Sequence, residues 1–479
     1  MDKASNTREL MDINNLRYEE AGKLALVEEG GVFKKNNADQ QVYSSTAGTE
    51  LIVNLQSSTD FVYGPNCYLR FDVEATGLAD DGYGGGVGVG FLNTPATALF
   101  SRFLLEDKSG AEVERVENIN RAVRSCLPWK YPNEYRRTCE MAGQPQDKKA
   151  KANQTALYNY ALNQNDTKEN EGKANRLRVC IPLWYFSGLF HEETLLPPQL
   201  ISGMRFRLSL ARVQEALSIV CYSTADAPVD GELAVGALAF SIIDPVILLD
   251  TYSLGMSVQR NIQEQSQSQM GLPFGYETLY YQSGNAGTQT AYTQQVNKAV
   301  ARAEKLWTQT QVPTAGSIFI DNLGSKPLSY FQIQHRIGDY YAQNQIIQLG
   351  ETDTTAGSQR NCAELYINNL QNSQSSVMGM CMPSGIADPY RCVSVSLDNF
   401  RGLDDDGSAV AGNGSWSVLC QNVNQSPHIA SSGIAVNNSR TAEVRIRYAD
   451  DDGDDKQVQT WLQYYKVASV YPTRSVIKQ

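Results

Sequence analysis

The stretch GYGGGVGVGF, Gly82 to Phe91, is where this chain comes closest to a phosphate-binding loop. A dinucleotide loop needs glycine at i, i+2 and i+5, so that backbone amides at a helix start can approach the phosphates. Here Gly84 and Gly86 are followed by Val89, and Gly86 and Gly88 by Phe91. No Lys-Ser/Thr pair completes a triphosphate loop, and the upstream TGLADDG brings carboxylates that repel phosphate. The run therefore reads as a flexible connection between strands.

The other chemistry-bearing residues also fail to converge. The histidines are His191, His335 and His428, and none sits in a two-histidine metal motif. His191 has Glu192 and Glu193 beside it, but neighbours on an extended chain point to opposite sides, so the cluster reads as surface polarity. The serine elbow GxSxG is absent. The acidic runs Asp404 to Gly407 and Asp450 to Asp455 invite calcium, but an EF-hand loop would need Asp where Gly402 and Tyr448 stand. The second run reads as a hairpin turn, which leaves only opportunistic calcium binding. No catalytic residue, cofactor-binding residue or metal ligand is assigned, no cofactor is expected, and the chain is expected not to be an enzyme.

Composition narrows the class further. With 479 residues, 42% hydrophobic and 19% charged, the chain has material for two large globular domains. Its net charge of -11 argues against coating nucleic acid, which needs surplus Lys and Arg to displace counterions. The clusters Lys34-Lys35 and Lys148, Lys149, Lys151 read as solvated loops. Nine scattered cysteines without a CxxC pair suggest reduced thiols, several of them in strands. The opening MDKASNTREL lacks the apolar core of a signal peptide, which implies synthesis in a reducing compartment. The longest apolar run, Leu233 to Ile243, stops at Asp244-Pro245 and is too short to span a bilayer.

The elements that must position any site are mostly strands. TELIVNLQ alternates Leu51, Val53 and Leu55; CYLRFDVEATG places Leu69, Phe71 and Val73 on one face; GMRFRLSLARV alternates Met204, Phe206 and Leu208 with polar residues. AEVRIRYADDDGDDKQVQTWLQYYKV reads as two strands around an acidic turn. Helices are few: NINRAVRSCL and CAELYINNLQNS allow about three turns, and SVQRNIQEQSQSQ and TQQVNKAVARAEKL are further candidates. The polar stretches Lys130 to Arg176 and Asp404 to Arg440 read as long loops on an outer face.

An internal echo organises the rest. IPLWYFSGL (Ile181 to Leu189) and VSLDNFRGL (Val395 to Leu403) share one pattern, and each precedes a strand with paired arginines, Arg205-Phe206-Arg207 and Arg445-Ile446-Arg447. Each half also ends in an apolar strand closed by proline, Pro245 and Pro472. The order argues for a duplicated domain. The expected fold is mostly β: two tandem eight-stranded jelly rolls with short helices and long surface loops. The boundaries are an N-terminal arm over 1–45, a first roll over 46–250 and a second over 251–479.

IPLWYFSGLFHEETLLPPQLISGMRFRLSL, LSYFQIQHRIGDYYAQNQIIQL with the helix around Leu365, and the closing WLQYYKVASVYPTRSVI resemble the double jelly-roll major capsid proteins of virophages and polinton-like viruses. The resemblance covers most of the chain from about Thr49 onward. It implies upright rolls side by side and three chains in a pseudo-hexagonal capsomer. Such capsomers tile an icosahedral shell around double-stranded DNA, with penton and minor capsid proteins as further partners. It also implies a virion location after synthesis in host cytoplasm or nucleus, and no sequence-specific nucleic-acid binding. Bulky residues at Gly188 or Gly402 are expected to impair folding and assembly. A different class, a tandem jelly-roll carbohydrate-binding protein, is suggested by the 25 tyrosines and the long loops.

Overall fold

Alternating apolar residues give strands with one buried face, and two such faces must cover each other to exclude water. The structure, a computed structural model, describes residues 27–45, 48–57, 59–76, 87–91, 94–144, 158–160, 176–222, 238–267, 271–313, 323–325, 330–341, 347–348, 369, 372–373, 418–423, 433–437, 440–448, 454–471 and 475–478. The first half contributes β1 (Val27–Asn37), β2 (Val42–Ser44), β3 (Glu50–Asn54), β4 (Phe61–Tyr63), β5 (Tyr68–Thr76), β6 (Val87–Gly90) and β7 (Phe100–Glu106). It continues with β8 (Glu112–Glu117), β9 (Tyr158–Tyr160), β10 (Leu177–Pro182), β11 (Leu195–Leu196), β12 (Arg205–Leu210), β13 (Ser218–Tyr222) and β14 (Ala239–Leu254). The second half contributes β15 (Leu272–Gly287), β16 (Ala291–Val296), β17 (Val300–Gln311), β18 (Tyr330–Ile337), β19 (Tyr340–Tyr341), β20 (Ile347–Gln348) and β21 (Leu419–Asn422). β22 (Ile434–Val436), β23 (Ala442–Tyr448), β24 (Lys456–Val470) and β25 (Ser475–Lys478) complete it. The longer helices are α1 (Ile119–Lys130), α2 (Pro132–Thr138) and α3 (Met256–Ser266).

All pairings are antiparallel, and the two halves repeat one plan. Strand order β1-β14-β5-β10 in the first half matches β15-β24-β17-β21 in the second, with the opening strand beside the closing one. The facing sheets run β3-β12-β7-β8 and β16-β23-β18-β19. The paired-arginine strands β12 and β23 hold the same place, second in their sheets. That is two jelly rolls in tandem, each with eight principal strands.

Each core lies between its two sheets. In the first roll Leu69, Phe71 and Val73 of β5 meet Leu51, Val53, Phe103, Phe206 and Leu208, all essentially buried. Phe103 and Phe206 lie 5.0 Å apart and Phe71 meets Phe100 edge-on at 5.9 Å, within the range where aromatic pairs add to burial. In the second roll Val296, Val300, Ala303 and Leu306 pack on Ile337, Ile434, Ala442 and Leu462.

Several expectations need correction. TQQVNKAVARAEKL is strand, not helix: Val296, Val300 and Ala303 have helical spacing, but Val296 ends β16, β17 is paired on both sides, and a register shift between Val300 and Ala303 brings both to the core, which overrides propensity. The strands on either side of the acidic run do not form a hairpin, because β23 and β24 belong to different sheets; residues 449–453 lie outside the described residues. Pro245 does not close its strand. It sits in a bulge of β14 with Asp244 at φ +49°, where its missing N–H interrupts no ladder bond, and the strand runs on to Leu254.

The loop expected over Lys130 to Arg176 begins as structure: α2 follows, and Tyr135, Cys139, Ala142 and Gln144 are buried. The loop expected over Asp404 to Arg440 contains β21 and β22, with Val418, Leu419 and Cys420 buried. Within the arm assigned to 1–45, β1 is a full strand of the first roll, registered along β14 from Asn37 opposite Val246 to Val27 opposite Leu254. The glycine run is also partly strand, since β6 pairs with β13 and β9. VSLDNFRGL, Gly402 and Asp404 to Gly407 lie outside the described residues, as does the helix expected from Cys362 apart from helical 369, 372 and 373.

Candidate functional site: the seam between the rolls

Among the described residues no group of three His, Cys, Asp or Glu converges on a metal position. His335 is buried and within 3.2 Å of Thr308 Oγ1. His191 is not surface polarity: its ring stacks on Tyr131 at 4.0 Å, and burial, with Lys130 nearby, lowers its pKa to about 4. Free thiols among the described residues include Cys67, Cys126, Cys139, Cys180 and Cys420, all but Cys180 buried. His428 is outside the described residues.

The residues that do converge lie where the rolls meet. β15 pairs with β24 on one side only, and its other edge runs along β8 of the first roll. Tyr276 of β15 is fully buried there and its hydroxyl donates to Val113 O at 2.7 Å. Lys466 donates to the same carbonyl at 3.1 Å. A helix buried all round is a core helix, and nearly every residue of α1 is buried, wedged between the first core and the second roll. From it Ser125 donates to Gln309, Arg121 to Gln311, and Lys130 Nζ lies 2.5 Å from Glu277 Oε2.

Around that ion pair is a closed polar network. Gln463 Nε2 donates to Glu277 Oε2 at 2.9 Å and approaches Glu304 Oε2 at 3.5 Å, while its Oε1 accepts from Trp307 Nε1 at 3.2 Å. Burial works against ionising Glu277, but Lys130 and Lys305 outweigh it and bring its pKa down to about 2. Burial and the neighbouring Glu277 charge push Glu304 up to about 8. The two carboxyls thus hold one proton between them at neutral pH, as close like charges require. Burial also lifts Glu114, which accepts from Gly188 N at 3.1 Å and from the Ser187 hydroxyl.

Gly188, from the IPLWYFSGL motif, brings its backbone against β15 beside this network. A cavity of about 40 Å³ remains between Lys130, Tyr131, Trp184, His191, Glu277 and Gln463, room for about one water by its size. The arrangement welds two β-sandwiches into a fixed pair; its chemistry is that of a buried salt link and a shared proton.

Sequence reasoning missed these groups. The available signal was Glu304-Lys305 inside an apolar strand, legible only once VARAEKLWTQTQ is read as strand.

Neither a protein-family model nor a curated protein matches the sequence. Solved structures do match over nearly the whole chain. The Sputnik virophage structure superposes with TM-score 0.54 at 12% identity, covering 95% of this chain and 90% of that one. VP54 of PBCV-1, as fitted into a reconstruction of Sputnik, gives 0.53 at 11%, covering 96% and 99%. The mavirus major capsid protein gives 0.50 at 10%, covering 95% and 91%. Repeated strand order, two sandwich cores and likeness along the full length agree: the chain has the double jelly-roll fold, the architecture of these viral major capsid proteins.

Proposed function

We propose that the chain is a major capsid protein whose work is association. Three copies form a pseudo-hexagonal capsomer, and capsomers tile an icosahedral shell around a double-stranded DNA genome, sealed by penton and minor capsid proteins. The chain divides into a first roll closed by β14 and a second opened by β15, and it resides in the virion. The observation that carries the reading is the seam. Two sandwiches of one plan are locked side by side by buried contacts from β8, α1 and the Gly188 turn, which makes a rigid two-unit tile. Obligate contacts between such tiles commonly bury more than about 2,000 Å² in total. The net charge of -11 keeps free capsomers apart and leaves genome neutralisation to other molecules. Among the described residues no helix is long and apolar enough to cross a membrane.

Light scattering on the purified protein and negative-stain microscopy test this. A homotrimer of hexagonal outline is expected. A strictly monomeric protein at high concentration would overturn it.

A further inference from the structure

Around Glu277 the seam brings together the parts of an amide-forming reaction. Lys130 ends α1 in the first roll, and Gln463 lies on β24 in the second. They share one oxygen: Glu277 Oε2 is 2.5 Å from Lys130 Nζ and 2.9 Å from Gln463 Nε2. An amine and a primary carboxamide thus stand on either side of one carboxylate. Gln463 is fully buried, and its amide is fixed at both ends, with Oε1 accepting from Trp307 Nε1 at 3.2 Å and Nε2 also 3.5 Å from Glu304 Oε2.

Each of these contacts matches a need of acyl transfer. A lysine attacks only as the free amine, so it needs a base in contact and little water around it. Glu277 is that base. The amide oxygen gains negative charge on attack, and a donor aimed at it stabilises that charge; Trp307 Nε1 is that donor. The departing nitrogen needs a proton, and Glu304, kept protonated at neutral pH by burial and the Glu277 charge, stands beside it. What departs is ammonia, and the cavity of about 40 Å³ that borders Lys130, Glu277 and Gln463 has room for one molecule of water's size.

A salt link between the rolls needs Lys130 and Glu277 alone. The site adds an amide bonded to the amine's own partner, an N–H on that amide's oxygen and a second carboxyl at its nitrogen.

We propose that Lys130 and Gln463 join in an isopeptide bond that ties α1 of the first roll to β24 of the second. Lys130 Nζ passes a proton to Glu277 and attacks Gln463 Cδ. The Nζ–Cδ bond forms, the Cδ–Nε2 bond breaks, and Nε2 leaves as ammonia with the proton of Glu304, which regains one from the attacking nitrogen. No oxidant, reductant or co-reactant enters. Lys130 and Glu277 hold each other charged, so the first proton transfer is uphill and closure is slow. The salt-linked seam is the state before closure. The bond lies within one chain and stands or falls apart from the capsomer reading.

The test is mass spectrometry on the full-length wild type, aged until its mass no longer changes, and on Glu277→Gln treated alike. The aged wild type is expected to be lighter than its sequence by one ammonia, to resist trypsin after Lys130, and to yield a branched peptide carrying residues 130 and 463. Glu277→Gln keeps both the amine and the amide, and is expected to retain its full mass and the cut after Lys130. An aged wild type of full mass would overturn the proposal. So would ammonia lost at another residue with Lys130 still cleaved, or a bond that closes as fast in Glu277→Gln. Should that variant fail to fold, the peptide map of the wild type decides by itself.

Discussion

Gly188 and Glu277 meet across the seam so closely that a Cβ on the glycine would lie 1.7 Å from the glutamate carbonyl oxygen. No side chain fits there, and the obstacle is backbone, which cannot swing aside. The requirement for glycine comes from the other roll, not from a turn of its own.

Gly188→Ala is therefore expected to cost about 3 kcal/mol, at the upper end of overpacking, because the strand edge must retreat from the motif. Calorimetry should show a clear fall in melting temperature, and hydrogen exchange should rise in β15. A melting curve like that of the wild type would contradict the close approach.

Breaking the Lys130–Glu277 pair from one side should be worse than removing both charges. Lys130→Met strands Glu277, already next to Glu304, in a buried site, and a loss of about 3–5 kcal/mol is expected. Adding Glu277→Gln should restore much of it. Denaturant unfolding of the single and double variants measures the difference, and simple additivity would show that the pair is not coupled.

The shared proton gives the seam a pH dependence of known sign. Glu304, raised to about 8, holds its proton more tightly folded than unfolded, so its contribution is full below about pH 4.5 and fades as pH rises to about 8. Glu277, lowered to about 2, contributes fully above about pH 4.5 and fades as pH falls towards 2. Glu304→Gln should flatten the decline in melting temperature between pH 5 and 8 and leave the acid limb. An unchanged alkaline slope would place that titration elsewhere.

Tyr276→Phe removes only the hydroxyl that donates to Val113 O. A cost of about 1 kcal/mol is expected, since Lys466 still satisfies the carbonyl. Trimer formation should persist, because the ring and its packing remain. Dissociation of this variant at wild-type concentrations would show that the hydroxyl sets roll orientation.

Much of the fold was legible because period-two alternation is a local property. Leu69, Phe71 and Val73 mark the inner face of β5 wherever that strand goes, and the paired arginines at 205 and 207 and at 445 and 447 mark equivalent strands of the two rolls. Where helical spacing and strand pairing conflict, as at Val300 and Ala303 of β17, the neighbouring strands make the choice and a register shift absorbs the mismatch. Pro245 looked like an ending because local sequence does not reveal that a bulge can absorb it.

The sequence by itself determined a mostly β chain built twice on one plan. Only the tertiary structure decided where the rolls touch, which glycine that contact demands, and that Lys130, Glu277, Glu304 and Gln463 form one network. The physical reason is range: backbone pattern is set by neighbours a few residues away, whereas a buried salt link joins residues that only folding brings together.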